Sequence, residues 1–169
     1  KDSLMGAAGN IRLGYQSEND SEVIALPTQA VDPKRDFTAK FQLTGLKPST
    51  AYKLYMLEAP ADEAKKTMML LGGFTTAPSP DVASPVRFTV VTCHDFPRRD
   101  DGNRGHLIYP VMEKLKPHFL VHAGDIEYYD KPGPWAMNAE LARFKWNRFY
   151  SLSNQRTFHA NHASYFIKD

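Results

Sequence analysis

The chain holds one cysteine, Cys93, which stands directly before His94 and Asp95 at the end of an apolar run, VRFTVVT. About thirty residues later a second apolar run, HFLVHAG, opens into Asp125, with Tyr128 on the same loop. A thiol, carboxylates and a phenol are the donors from which a polynuclear metal site is assembled, sulfur and phenolate suiting a ferric ion and carboxylate oxygen a harder cation. Each half alone is ordinary. A lone cysteine after an apolar run is commonly a small buried hydrophobe, and Gly-Asp is common in turns. Their succession at two strand ends makes both into site candidates. Tyr129 competes with Tyr128 for a phenolate role. His106, His118, His122, His159 and His162 lack zinc-motif spacing, and His122 reads as a hydrogen-bonded strand residue. The RRDD segment and Arg104 read as a mixed-charge surface loop.

Such donors need rigid elements behind them. VRFTVVT is a continuous β-branched run, which predicts a strand covered on both faces. HFLVHAG predicts a second strand and ASYFIKD a third, ending at Asp169. Between the first two lies a helical stripe at Leu107, Ile108, Val111, Met112 and Leu115, with Pro110 tolerable in the first turn. A longer helix is expected from Trp135 to Tyr150, with Met137, Leu141, Phe144 and the stem of Arg148 facing inward. The aromatic set Trp135, Phe144, Trp146, Phe149 and Tyr150 falls at helical spacing and reads as packing. Strand, helix, strand, helix, strand implies a parallel α/β sheet, whose ligands gather beyond the carboxyl ends of the strands.

The earlier half has a different period. Ile11, Leu13 and Tyr15, then Phe37, Ala39, Phe41 and Leu43, then Tyr52, Leu54 and Met56 alternate as half-buried antiparallel strands do. Strands are expected around residues 10 to 16, 22 to 26, 36 to 43, 51 to 58 and 68 to 75. GLKPSTAY resembles the corner of a fibronectin type III-like β-sandwich, in which a tyrosine, here Tyr52, hydrogen-bonds back across the turn. TTAPSPDVASPV then breaks the period with prolines and serines. The predicted organisation is a partial fibronectin type III-like domain over 1–77, a linker over 78–86, and the N-terminal part of an α/β domain over 87–169.

Bulk properties exclude several classes. The 169 residues carry a net charge of +2, too small to argue for nucleic acid or an anionic membrane. No run approaches the roughly 18 apolar residues of a membrane span, and the first residues lack a signal-peptide core. One cysteine precludes an internal disulfide, so Cys93 is free, ligated or paired with another chain.

Metallophosphoesterases carry Asp-x-His after the first strand, Gly-Asp-x-x-Asp or Gly-Asp-x-x-Tyr after the next βα unit, and an Asn- or Asp-His motif at the third. This chain has CHD, GDIEY and a terminal FIKD in that order, at spacings of about thirty and forty residues. Cys for the first Asp, Tyr in the second motif, a preceding sandwich, and the phrases RFTVVTCHDF, GHLIYPVMEKLKPHFLVHAGDIEYYD and ELARFKWNRFYSL together resemble the PhoD-like alkaline phosphatases, relatives of the purple acid phosphatases. The resemblance covers nearly the whole chain. It implies metal-dependent hydrolysis of small phosphate esters, with a metal-activated water as nucleophile and Fe(III) with Ca(II) as cofactors. It also implies an extracytoplasmic location. Cys93 becomes the first ligand of an iron-like ion, Asp125 the carboxylate bridging two ions, and Tyr128 a phenolate on the first. Asp95, where the ordinary pattern has its histidine, is either a ligand or loop lining. His94 either contacts a phosphate oxygen or is solvated. Five of about seven sandwich strands, and a third-motif ligand falling past Asp169, imply domains incomplete at both ends and a piece inactive by itself. The alternative is a surface or carbohydrate-binding sandwich attached to an inactive phosphoesterase relic, which would bind no metal.

Overall fold

The computed structural model describes residues 6–57 and 68–167. The chain divides into two compact units between Ser84 and Pro85. The expectations placed on Glu58 and Asp169 lie outside the described residues.

In the first unit the period-two segments form antiparallel strands: β1 (Gly9–Ser17), β2 (Ile24–Ala25), β3 (Gln29–Val31), β4 (Ala51–Leu57) and β5 (Met68–Thr75). β1 pairs with β2 and β3 in turn and with β4, and β4 pairs with β5, giving the order β2-β1-β4-β5 with β3 also on β1. The strand expected at residues 36 to 43 is absent, and β3, which periodicity did not single out, lies just before it. The cause is local. The Asp32 carboxylate accepts from Lys34 N at 2.8 Å and Arg35 N at 3.3 Å, with Pro33 opening a one-turn 3-10 helix. Asp36 and Phe37 then take left-handed φ values of 52° and 55°, which a strand cannot contain. Alternation survives in the sequence, but turn chemistry wins.

Tyr52 behaves as expected of a corner tyrosine. Its Oη accepts from Lys47 N at 2.9 Å, its ring is buried, and Tyr15 and Phe74 flank it at centroid distances of 6.1 and 5.6 Å. Gly45 (φ +67°) and Ser49 (φ +48°) supply the left-handed residues of the turn it closes.

The second unit alternates strand and helix: β6 (Phe88–Val91), α1 (Ile108–Lys114), β7 (Phe119–His122), α2 (Ala139–Tyr150), α3 (Ser153–Asn161) and β8 (Ala163–Phe166). The strands are parallel in the order β6-β7-β8, Val91 opposite His122 and His122 opposite Phe166. Pro110 sits in the first turn of α1, where the orphan N–H makes it harmless. Tyr109, Met112, Leu120 and Phe158 form the core, with Val91 packed against it. Burying each contributes roughly 2 kcal/mol.

Three expectations change here. The strand VRFTVVT is covered on one face only: Phe88 and Val90 are exposed, as is Tyr165 on β8, so a continuous apolar run did not mean burial on both sides. α2 begins at Ala139 rather than Trp135, because Asn138 Oδ1 caps it by accepting from Leu141 N at 2.9 Å after a proline-bearing loop. That start puts Lys145 and Phe149 on the buried face, while Met137 is 82% exposed and Phe144 and Trp135 are also exposed. α3 was not anticipated; its sequence SNQRTFHAN is polar, and only Gln155 and Phe158 are buried.

Candidate metal centre at two strand tips

Beyond the ends of β6 and β7 the backbones stay laddered, with Ala123 N donating to Val91 O at 2.8 Å, Cys93 N to Gly124 O at 3.4 Å and His94 N to Asp125 O at 3.0 Å. Thr92 Oγ1 donates to Gly124 O at 3.1 Å. This zipper holds the two loops side by side. Both key residues take left-handed backbone, Cys93 at φ +59° and Asp125 at φ +50°, with Gly124 between the strand and Asp125 at φ +99°. Non-glycine residues in this region are strained by of order 1 kcal/mol or more each and persist where surrounding structure over-determines them. Here the zipper does so.

The result is convergence. The Cys93 thiol donates to Asp125 Oδ2 at 3.2 Å, and the Tyr128 hydroxyl donates to the same oxygen at 3.0 Å. Cys93 is exposed, so the cluster opens to solvent. A cleft of about 780 Å³ adjoins it, lined by Asp125, Tyr128, Tyr129, Trp146 and Phe166 among others. Desolvation, followed by the neighbouring Cys93 and Asp125, pushes the Tyr128 phenol above its ordinary value. The thiol and the phenol thus direct their hydrogens at one carboxylate oxygen, and the three side chains meet at a single point. Tyr129, the competitor, is exposed and turns instead to α2, its hydroxyl accepting from Trp146 Nε1 at 2.5 Å.

The other candidates point elsewhere. Asp95 Oδ2 is held by Lys131 Nζ at 3.0 Å and Arg98 Nε at 3.5 Å. Lys131 in turn lies 3.5 Å over the Tyr128 ring, so Asp95 touches the cluster only through that ammonium. His94 is buried at 6% exposure, its Nδ1 2.6 Å from His122 Nε2 and its ring packed against His106, Tyr109 and Phe149. Burial, then the neighbouring histidines, lowers its pKa from 6.5 to about 3. Its side chain enters the core rather than solvent. His122, expected to be hydrogen-bonded, is so. Among the described residues no group of three or more His, Cys, Asp and Glu is arranged to hold a metal ion. The third side chain that meets Cys93 and Asp125 is the Tyr128 phenol.

Sequence reasoning missed the charges beneath this loop. Lys145 and Glu127 have side chains 1% and 2% exposed and lie 3.7 Å apart, with Arg148 at 3.9 Å from the same carboxylate oxygen. Desolvation raises the Glu127 pKa against the opposing pull of its hydrogen bond and of both cations. Leu141, Lys145 and Phe149 recur every four residues on one helix face, but a lysine in that series reads as a surface charge.

No protein-family model and no curated protein matches the chain. Among solved structures, one described as the structure of PhoD matches with a TM-score of 0.72 at 18% identity, over 99% of this chain and 34% of that one. The chain thus spans about a third of the length of that structure. No helix among the described residues is long and apolar enough to cross a membrane. Across nearly its whole length, this chain has a PhoD-like fold.

Proposed function

We propose that the chain is the front part of a metal-dependent phosphoric ester hydrolase of PhoD-like type, a partial fibronectin type III-like sandwich followed by the first strands of a metallophosphoesterase domain. The observation that carries this reading is the sharing of one Asp125 oxygen by the Cys93 thiol and the Tyr128 phenol at the tips of two parallel strands. Such a set, once deprotonated, bears three negative charges within hydrogen-bond distance and is stable only around a cation. Cys93 and Tyr128 would hold a ferric ion, and Asp125 would face both that ion and a harder second one such as calcium. Cations there would supply Lewis acidity toward a phosphoryl group and acidify a water as nucleophile.

The chain's own residues prepare that chemistry. The zippered backbone fixes Cys93 and Asp125 before any ion arrives, so little reorganisation accompanies binding. Lys131, held by Asp95 beside the phenol, keeps positive charge next to the place where an anionic ester would approach. The cleft lined by Tyr129 and Trp146 offers apolar walls for the alcohol part of a small ester. A location outside the cytoplasm accords with this reading by family resemblance.

The test is a ferric titration of the reduced protein. A visible charge-transfer band, slowed thiol labelling of Cys93, and a band shift on adding inorganic phosphate are expected. Tyr128→Phe should move the colour more than it weakens binding. Labelling of Cys93 that is equally fast with and without iron, together with no band, refutes the reading.

A further inference from the structure

The segment 125–133 carries two of the three donors yet contains no helix or strand. Its shape is imposed from α2. Lys145 Nζ donates to Tyr128 O, and to Lys131 O at 3.2 Å, and lies 3.7 Å from Glu127 Oε1. This ammonium gives two hydrogen bonds to backbone carbonyls and lies within ion-pair range of a carboxylate, the three partners spread over five residues of the loop. One turn along, Arg148 donates to Gly133 O and approaches Glu127 Oε1 at 3.9 Å. Trp146 takes the loop's Tyr129 hydroxyl.

Tyr128 is thus gripped at three points: its carbonyl by Lys145, its ring beneath the Lys131 ammonium, its hydroxyl on Asp125. A lysine 1% exposed is costly to bury, and an apolar residue would continue the Leu141 and Phe149 face without that cost. What a charge adds at this position is direction. Two backbone carbonyls are pulled onto one nitrogen, and the loop's path follows.

We propose that Lys145, seconded by Glu127, is the positioning residue of the candidate metal centre, fixing the 125–133 loop so that the Tyr128 hydroxyl and the Asp125 carboxylate meet the Cys93 thiol. This rests on the reading of those three residues as metal donors. Lys145 itself touches neither ion nor substrate; it acts through the loop.

The experiment compares the full chain with Lys145→Met/Glu127→Gln and with Lys145→Arg. The double variant removes Lys145 and Glu127 together, so neither of that pair is left without the other, and Arg148 keeps its hydrogen bond to Gly133 O. Hydrogen exchange of the metal-free proteins is read first. In the double variant, amides of 126–133 should exchange at least about tenfold faster while those of α1 and β7 keep their wild-type rates, as local opening requires. Lys145→Arg, which keeps a multivalent donor, should restore most of the protection. With ferric ion added, the double variant should lose more than half of the visible band while Cys93 still labels at the metal-free rate. Unchanged loop exchange, or exchange raised equally through the whole unit in both variants, overturns the proposal by reducing Lys145 to no role or to general stability. A wild-type protein with no ferric band would instead sink the metal reading, and the exchange result would still decide whether Lys145 shapes the loop.

Discussion

Cys93 and His94 are neighbours in the chain and opposites in environment. Cys93 is exposed on left-handed backbone with its sulfur against Asp125, while His94 is buried against His122, His106, Tyr109 and Phe149. Around the first, groups that gain negative charge crowd together; around the second, groups that gain positive charge crowd together. The outcomes differ for one reason. At the rim, water can answer the crowding, and on the proposed reading a cation would do so too. In the core nothing can, so the imidazoles stay neutral: His94 is lowered to about 3 and His159 to about 4, burial being the first cause for each. Donor chemistry in a motif therefore says little until the direction of each side chain is known.

The largest effect should come from the rim. Asp125→Asn keeps the shape of the side chain and removes the charge both partners share, so ferric affinity should fall by more than the roughly hundredfold seen for lost supporting residues. A titration giving affinity within tenfold of wild type would end the distinction drawn between Asp125 and its neighbours. Next comes the core. His94→Gln should lower stability in urea by about 1–3 kcal/mol, the cost of an imperfect buried hydrogen bond. Ferric affinity should hardly move. Equal damage to iron binding would mean that rim and core are one site.

Acid should separate the two regions further. The core histidines bind protons more readily unfolded, at the ordinary 6.5, than folded, at about 3 or 4. Between those values the unfolded chain carries more protons, so stability is full above pH 6.5 and declines as pH falls through the window below it. Thermal midpoints at pH 7.5 and pH 5 should differ, and His159→Gln should shrink the difference. A flat profile would show that the histidines are not held neutral by the fold. The smallest effect is expected at Asp95, whose partners are the largely exposed Arg98 and the part-exposed Lys131. Asp95→Asn should change ferric affinity by less than about threefold, since such ion pairs contribute little. A loss as large as that of Asp125→Asn would make Asp95 a ligand of equal rank.

Much of this protein was legible in its residues. Period-two alternation located β1 and β4, and the Gly-x-x-Pro turn located Tyr52, because both signals are local and the physics behind them acts over a few residues. The order of the three strands and of α1 and α2 in the second unit followed from runs and stripes of the same kind, whereas α3 did not. Cys93, Asp125 and Tyr128 were singled out because a motif records donor types at fixed separations, and the folded loops bring the three side chains together. Where tertiary structure decided, the cause lay beyond such a window. The alternation of residues 37 to 43 yielded to two left-handed residues, and the apolar run of β6 carried no sign of which face helices would cover. The inward turn of His94 depends on His122, twenty-eight positions away in sequence. Lys145 reads as a surface charge on any helix until the loop of Tyr128 is folded over it. Residue types and spacings set which groups could do chemistry; three-dimensional packing alone set which of them meet, because burial and direction are properties of neighbours that the chain brings together only when folded.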